Sequence, residues 1–156
     1  MNKPAIWITN EKTTPFYARK TFELKKEITS ATAGVCGLGQ FVFSLNGKKV
    51  SDHELDPGWT DYRKVIEYVD FDVTEALHPG QNTAGFEVGN GWFLLDQRGG
   101  YTFHFPEFMP ESPNPYQPFG RSLVLSFVIE VTYADGTKEK ITPEGSLVTD
   151  HEEIGR

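Results

Sequence analysis

At 156 residues the chain is read as one domain spanning 1–156, long enough to bury roughly two thirds of the surface its unfolded form would expose. Hydrophobic residues make up 38% and charged residues 24%, which excludes a disordered chain. A net charge of −7 and a pI near 5.1 argue against nucleic acid or an anionic membrane as the partner, because either would repel it.

The N-terminal "MNKPAIWITNEKTTPF" lacks the apolar run of a signal peptide, and no later stretch approaches a membrane span, so the expected location is cytoplasmic. "FYARKTFEL" (Phe16–Leu24) alternates as a strand, with Phe16, Ala18, Phe22 and Leu24 on one side. "SATAGVCGLG" (Ser30–Gly39) is small and apolar, as a strand in close contact with another layer would be. Its Cys36, the only cysteine, reads as a buried structural thiol rather than a nucleophile. In "QFVFSLNGKKVSD" (Gln40–Asp52), Phe41, Phe43 and Leu45 alternate up to Asn46-Gly47, a pair suited to positive φ at both positions of a hairpin turn.

"KVIEYVDFDV" (Lys64–Val73) reads as a further strand. "DVTEALHPGQN" (Asp72–Asn82) makes a brief helical turn, capped by Asp72 or Thr74 and stopped by His78-Pro79-Gly80. A strand follows through Ala84, Phe86 and Val88. "SLVLSFVIEVTYADGTKEKITPEG" (Ser122–Gly145) is a second hairpin, turning at Asp135-Gly136. The C-terminal "GSLVTDHEEIGR" has the polar look of a linker. Many short strands and no βαβ rhythm predict an all-β protein, a jelly-roll-like antiparallel β-sandwich, with a closed barrel as the alternative.

The segment from about 94 to 121 breaks this pattern. It carries prolines and Phe103, Phe105, Phe108, Met109, Tyr116 and Phe119 with little periodicity. It is longer than an ordinary structureless loop, so it is expected to be functional or packed onto a neighbour.

For chemistry, Asp56 and Asp61 flank Trp59 as a glycosidase acid pair could, although acids beside turns are more ordinarily solvated caps. No G-x-S-x-G elbow and no phosphate-binding loop occurs. His53, His78, His104 and His151 lack zinc-ligand spacing. Calcium is an open reading, because Asp52, Asp56, Asp61 and Asn90 supply the loop oxygens that ion takes. Two tryptophans lie in Gly-rich turns. Trp59 with Asp56, Asp61 and Tyr62, and Trp92 with Asn90, have the chemistry to stack on a sugar while binding its hydroxyls. The rival reading makes Trp59 a plug at the end of the sandwich.

The stretch Phe43–Trp92 also resembles the N-terminal β-sandwich domain of bacterial α-L-rhamnosidases. The resemblance rests on Asn46-Gly47 and Val50, Pro57-Gly58-Trp59-Thr60-Asp61-Tyr62, and Tyr68. It continues through Asp72-Val73-Thr74, Leu77, Pro79-Gly80, Asn82 and Gly89-Asn90-Gly91-Trp92, with "VTYADG" (Val131–Gly136) as the closing hairpin. Asn90 stands where that family commonly has aspartate. The resemblance implies an accessory domain of a glycoside hydrolase whose inverting catalytic (α/α)-barrel is absent from these residues. It implies docking against that catalytic domain, and in some relatives binding of terminal L-rhamnose with calcium. Trp59, Tyr62 and Trp92 would then stack, and Asp56, Asp61 and Asn90 would bind hydroxyls or the metal. A purely structural interdomain module without a carbohydrate site is the alternative.

Overall fold

The computed structural model describes residues 6–12, 14–94 and 122–150. Among the described residues nine strands run in chain order: β1 (Phe16–Leu24), β2 (Ile28–Leu38), β3 (Gln40–Leu45), β4 (Lys48–Lys49), β5 (Val69–Asp72), β6 (Gly80–Gly89), β7 (Val124–Tyr133), β8 (Lys138–Ile141) and β9 (Leu147–Asp150). They form a five-stranded sheet ordered β4-β3-β6-β1-β9 and a four-stranded sheet ordered β5-β2-β7-β8. All named pairs are antiparallel. The protein is an all-β sandwich, as the strand spacing predicted. Among the described residues no helix is long and apolar enough to cross a membrane.

Alternation places the core. Phe16, Ala18 and Leu24 of β1, Phe41, Phe43 and Leu45 of β3, and Ala84, Phe86 and Val88 of β6 face inward from one sheet. Ala31, Ala33 and Val35 of β2 and Leu125, Phe127, Ile129, Val131 and Tyr133 of β7 meet them from the other. Phenylalanine joins the layers. Phe43 stacks on Phe86 at 4.8 Å between ring centroids, and Phe86 stacks on Phe127 across the sandwich at 4.6 Å. Such ring pairs contribute about 0.5–1.5 kcal/mol each beyond their buried area.

Both predicted hairpins form. Asn46 and Gly47 take positive φ (51° and 79°) between β3 and β4, and Gly136 takes φ 79° between β7 and β8. The helical turn is a single 3₁₀ turn, Thr74–Ala76. Asp72 Oδ1 accepts from the Thr74 N–H at 3.0 Å and from its hydroxyl at 2.7 Å.

Two expectations are corrected. The strand predicted over 64–73 is limited to Val69–Asp72. The Lys64 and Val65 N–H groups instead donate to the Asp61 carbonyl at 2.8 and 3.0 Å, so local turn bonds hold that backbone away from a ladder. The C-terminal stretch predicted as a linker contains β9, which pairs with β1 from Phe16↔Asp150 to Arg19↔Leu147. Polar composition misled there, because an edge strand with one solvated face need not look apolar. Residues 95–121, with the Phe103–Phe119 aromatics, His104 and His151, lie outside the described residues.

Candidate functional site

The candidate residues gather at one end of the sandwich. A single row of register partners runs across the five-stranded sheet from Asp150 through Phe16 and Val88 to Phe41, and Phe41 bridges Asp56. That row marks the end where β3 begins and β6 finishes. The Phe41 N–H donates to the Asp56 carbonyl at 2.7 Å, which pins the start of the loop carrying Trp59. Pro57 is buried behind a cis Asp56–Pro57 peptide.

The loop closes on itself. A Cβ on Gly58 would lie 3.3 Å from Glu67 Oε2, so the loop's two stems are in contact. The Thr60 hydroxyl donates to the Val65 carbonyl at 2.7 Å. Tyr62, half-buried, meets Phe93 edge-on at 5.3 Å and 87°, which ties this loop to the turn after β6. Burial raises the Tyr62 phenol above its ordinary pKa.

In the second turn, the Leu94 N–H donates to the Asn90 carbonyl at 3.2 Å. Gly91 has φ 49°, and a Cβ there would lie 2.7 Å from Gln40 Cγ and 3.0 Å from the Gln40 nitrogen, so only glycine fits against β3. Asn90 Oδ1 is buried with no hydrogen-bond partner among the described residues.

The structure therefore brings Asp56, Trp59, Asp61 and Tyr62 into one loop, and sets Asn90 and Trp92 in the adjoining one. Trp59 is 55% exposed and Trp92 45%. The reading of Trp59 as an end plug is corrected, because its ring projects from the closed loop into solvent. Leu55, Val65 and Ile66 are exposed on the same β4–β5 loop, and sequence reasoning missed them. The available signal was Val65-Ile66, two consecutive apolar residues directly after Arg63-Lys64, which alternation assigned to a strand.

The carboxylates have their own partners. Arg63 Nε and Nη2 donate to Asp61 Oδ1 and Oδ2 at 2.8 and 3.1 Å, and Lys64 Nζ stands 3.7 Å from Oδ2. The Arg63 hydrogen bond holds the Asp61 carboxyl below its usual range, the opposite of what a glycosidase general acid needs. Asp56 Oδ2 lies 3.1 Å from His53 Nδ1. This set does not fit a calcium centre as placed. Two cations already occupy Asp61, and among the described residues no group of three or more His, Cys, Asp or Glu is positioned to hold a metal.

Hollows among the described residues lie at both ends of the sandwich. A shallow groove of about 300 Å³ beside this end is lined by Tyr17, Gln40, Val42, Leu55, Glu87 and Gly89. A cleft of about 910 Å³ at the opposite end, lined by Thr29, Asn46, Lys48, Asp72, Glu75 and His78 among others, has no Phe, Tyr or Trp among these described lining residues.

Fold and site together define an all-β sandwich domain with an aromatic and aliphatic loop cluster at one end. Residues 26–154 match the alpha-L-rhamnosidase N-terminal domain family, and the chain belongs to that family. It is 34% identical over 127 residues to an alpha-L-rhamnosidase of Formosa agariphila, covering 81% of this chain and 12% of that protein. The crystal structure of Streptomyces avermitilis alpha-L-rhamnosidase complexed with L-rhamnose superposes with a TM-score of 0.73 at 30% identity, over 88% of this chain and 12% of that one. Native rhamnosidase from Aspergillus terreus superposes with a TM-score of 0.72 at 26% identity, over 95% and 16%. The chain thus spans only a small fraction of the length of each of these relatives.

Proposed function

We propose that the chain is a non-catalytic accessory module of a bacterial α-L-rhamnosidase-like glycoside hydrolase, and that its role is to brace the catalytic domain of the parent enzyme. The observation that carries this reading is the end of the sandwich bearing Leu55, Trp59, Val65, Ile66 and Trp92. Large apolar side chains stand in solvent there, while the nearby carboxylates of Asp56 and Asp61 are engaged by His53 and Arg63. A surface of that kind suits another protein surface better than a polyol. The small share of each relative that the chain spans agrees with a module of a larger enzyme.

A second reading, binding of terminal L-rhamnose, is favoured by one feature. Among the described residues Asn90 Oδ1 is a buried acceptor without a donor, in the same turn as the exposed Trp92. Calorimetric titration of this chain with L-rhamnose, with and without calcium, separates the two. The bracing role predicts no saturable heat and no change in tryptophan fluorescence up to millimolar sugar. Saturable binding lost in Trp59→Ala or Asp61→Ala would replace it with a carbohydrate-binding module. Hydrolysis of an aryl rhamnoside by this chain alone would overturn the non-catalytic role.

A further inference from the structure

We infer that the loop end of the sandwich is the docking face for the domain that follows this one in the same polypeptide, seated on Leu55, Trp59, Val65, Ile66 and Trp92. The inference rests on the bracing role and deepens it by naming the next domain of the same polypeptide as the occupant and the direction of its approach.

Distribution is the first argument. Of the eight exposed large hydrophobic residues among the described ones, these five lie in two loops tied by the Tyr62–Phe93 contact, whereas Ile6 and Trp7 belong to the segment that bridges Leu125 at the start of β7 and Leu147 lies on β9. Scattered single apolar residues are normal on a soluble surface, but a contiguous group marks an interaction site. Aromatic side chains are also the residue class enriched at the centres of interfaces.

The second argument is where β9 delivers the chain. Asp150 is in register with Phe16, Phe16 with Val88, Val88 with Phe41, and Phe41 bridges Asp56. The chain therefore leaves β9 at the same end as the apolar loops. Four interstrand steps separate Asp150 from Asp56, or about 19 Å at ~4.8 Å each. About six extended residues cover that distance, so a domain continuing from β9 reaches this face without a long linker.

Charge at the rim is largely internal to this chain. Arg63 is held bidentate by Asp61 and Lys64 stands 3.7 Å from the same carboxylate, so the apolar side chains and not a charged edge set what the face accepts.

Hydroxyl-radical footprinting read by mass spectrometry tests this, on the 156-residue chain and on the whole enzyme in parallel. In the whole enzyme, oxidation of Trp59 and Trp92 falls by about fivefold or more, as expected for rings entering an interface core, while Leu147, three residues back from the end row on β9, keeps its rate. Ile66→Asp in the whole enzyme restores Trp59 oxidation, and Leu147→Asp, on the outer face of the sheet, does not. Equal Trp59 oxidation in chain and enzyme overturns the inference, as does protection that persists in Ile66→Asp. Protection of Trp59 in the isolated chain by L-rhamnose, or by raising the chain's own concentration, overturns it in favour of a sugar site or a second copy. Rhamnosidase activity of the whole enzyme is scored separately. Its absence defeats the proposed function, whereas activity with an accessible Trp59 defeats the docking face alone.

Discussion

Cys36 shows what burial does to one side chain. Ala31, Ala33 and Val35 of β2 point into the core, so Cys36 lies on the opposite face of the strand, where it is fully buried. Loss of solvent pushes its thiol from 9.0 up to about 12. The unfolded chain releases this proton above pH 9 while the folded protein keeps it until about pH 12. The stability this provides is complete below pH 9 and is lost as pH rises toward the folded value, by up to about 1.4 kcal/mol per pH unit. Urea unfolding at pH 7.5 and pH 10.5 checks this. The wild type loses more stability across that interval than Cys36→Ala, and parallel losses would mean that the thiol is not desolvated. The inert thiol was legible in the sequence because its neighbours are all small or apolar. The ionic clamp on Asp61 was not. Arg63 reaches Asp61 only because the chain turns between them, and the sequence read this stretch as leading directly into a strand.

Among the elements, the sharpest constraint is the corner between the two sheets. β2 belongs to the four-stranded sheet and β3 to the five-stranded one, and Gly39 alone separates them. Its φ is +121°, and a Cβ there would lie 2.3 Å from the Gly89 carbonyl oxygen and 2.8 Å from Leu123 Cδ2. Gly39→Ala should cost about 3 kcal/mol or more, combining backbone strain with overlap against a neighbouring main chain. Gly47→Ala, at φ +79° with nothing within 4 Å, should cost only about 1–2 kcal/mol. Equal shifts in urea midpoint for the two variants would refute the crowding argument. Hairpins at Asn46-Gly47 and Asp135-Gly136 were readable because turn chemistry is local. The corner at Gly39 was not, since a glycine within a small-residue run looks the same whether the strand continues or crosses over. The role of Asn82 was equally hidden. Its side chain donates to the His78 and Gly80 carbonyls and accepts from Asn46 and from the His78 N–H, linking the β3–β4 turn to the start of β6.

For the whole molecule, the division between fold-holding and partner-facing aromatics decides how the chain behaves by itself. Phe127 is fully buried and stacked on Phe86, whereas Trp59, Val65 and Ile66 stand in solvent on a loop held by backbone and side-chain hydrogen bonds. The sandwich was legible from alternation, but this division was not, because a sequence records that a residue is apolar and not which surface receives it. Serine at Trp59, Val65 or Ile66 should each move the stability of the isolated chain by no more than about 0.5 kcal/mol, as exposed positions do. Phe127→Ala should cost about 3–5 kcal/mol through the cavity it leaves. Urea denaturation of the four single variants gives the answer. Near-neutral loop variants beside a failing Phe127→Ala would mean that the loop residues hold nothing together within this chain, so their apolar surface is directed at something outside it. Losses above about 2 kcal/mol in the loop variants would place them in the fold's own support, and the docking face would then have to be sought elsewhere on the sandwich.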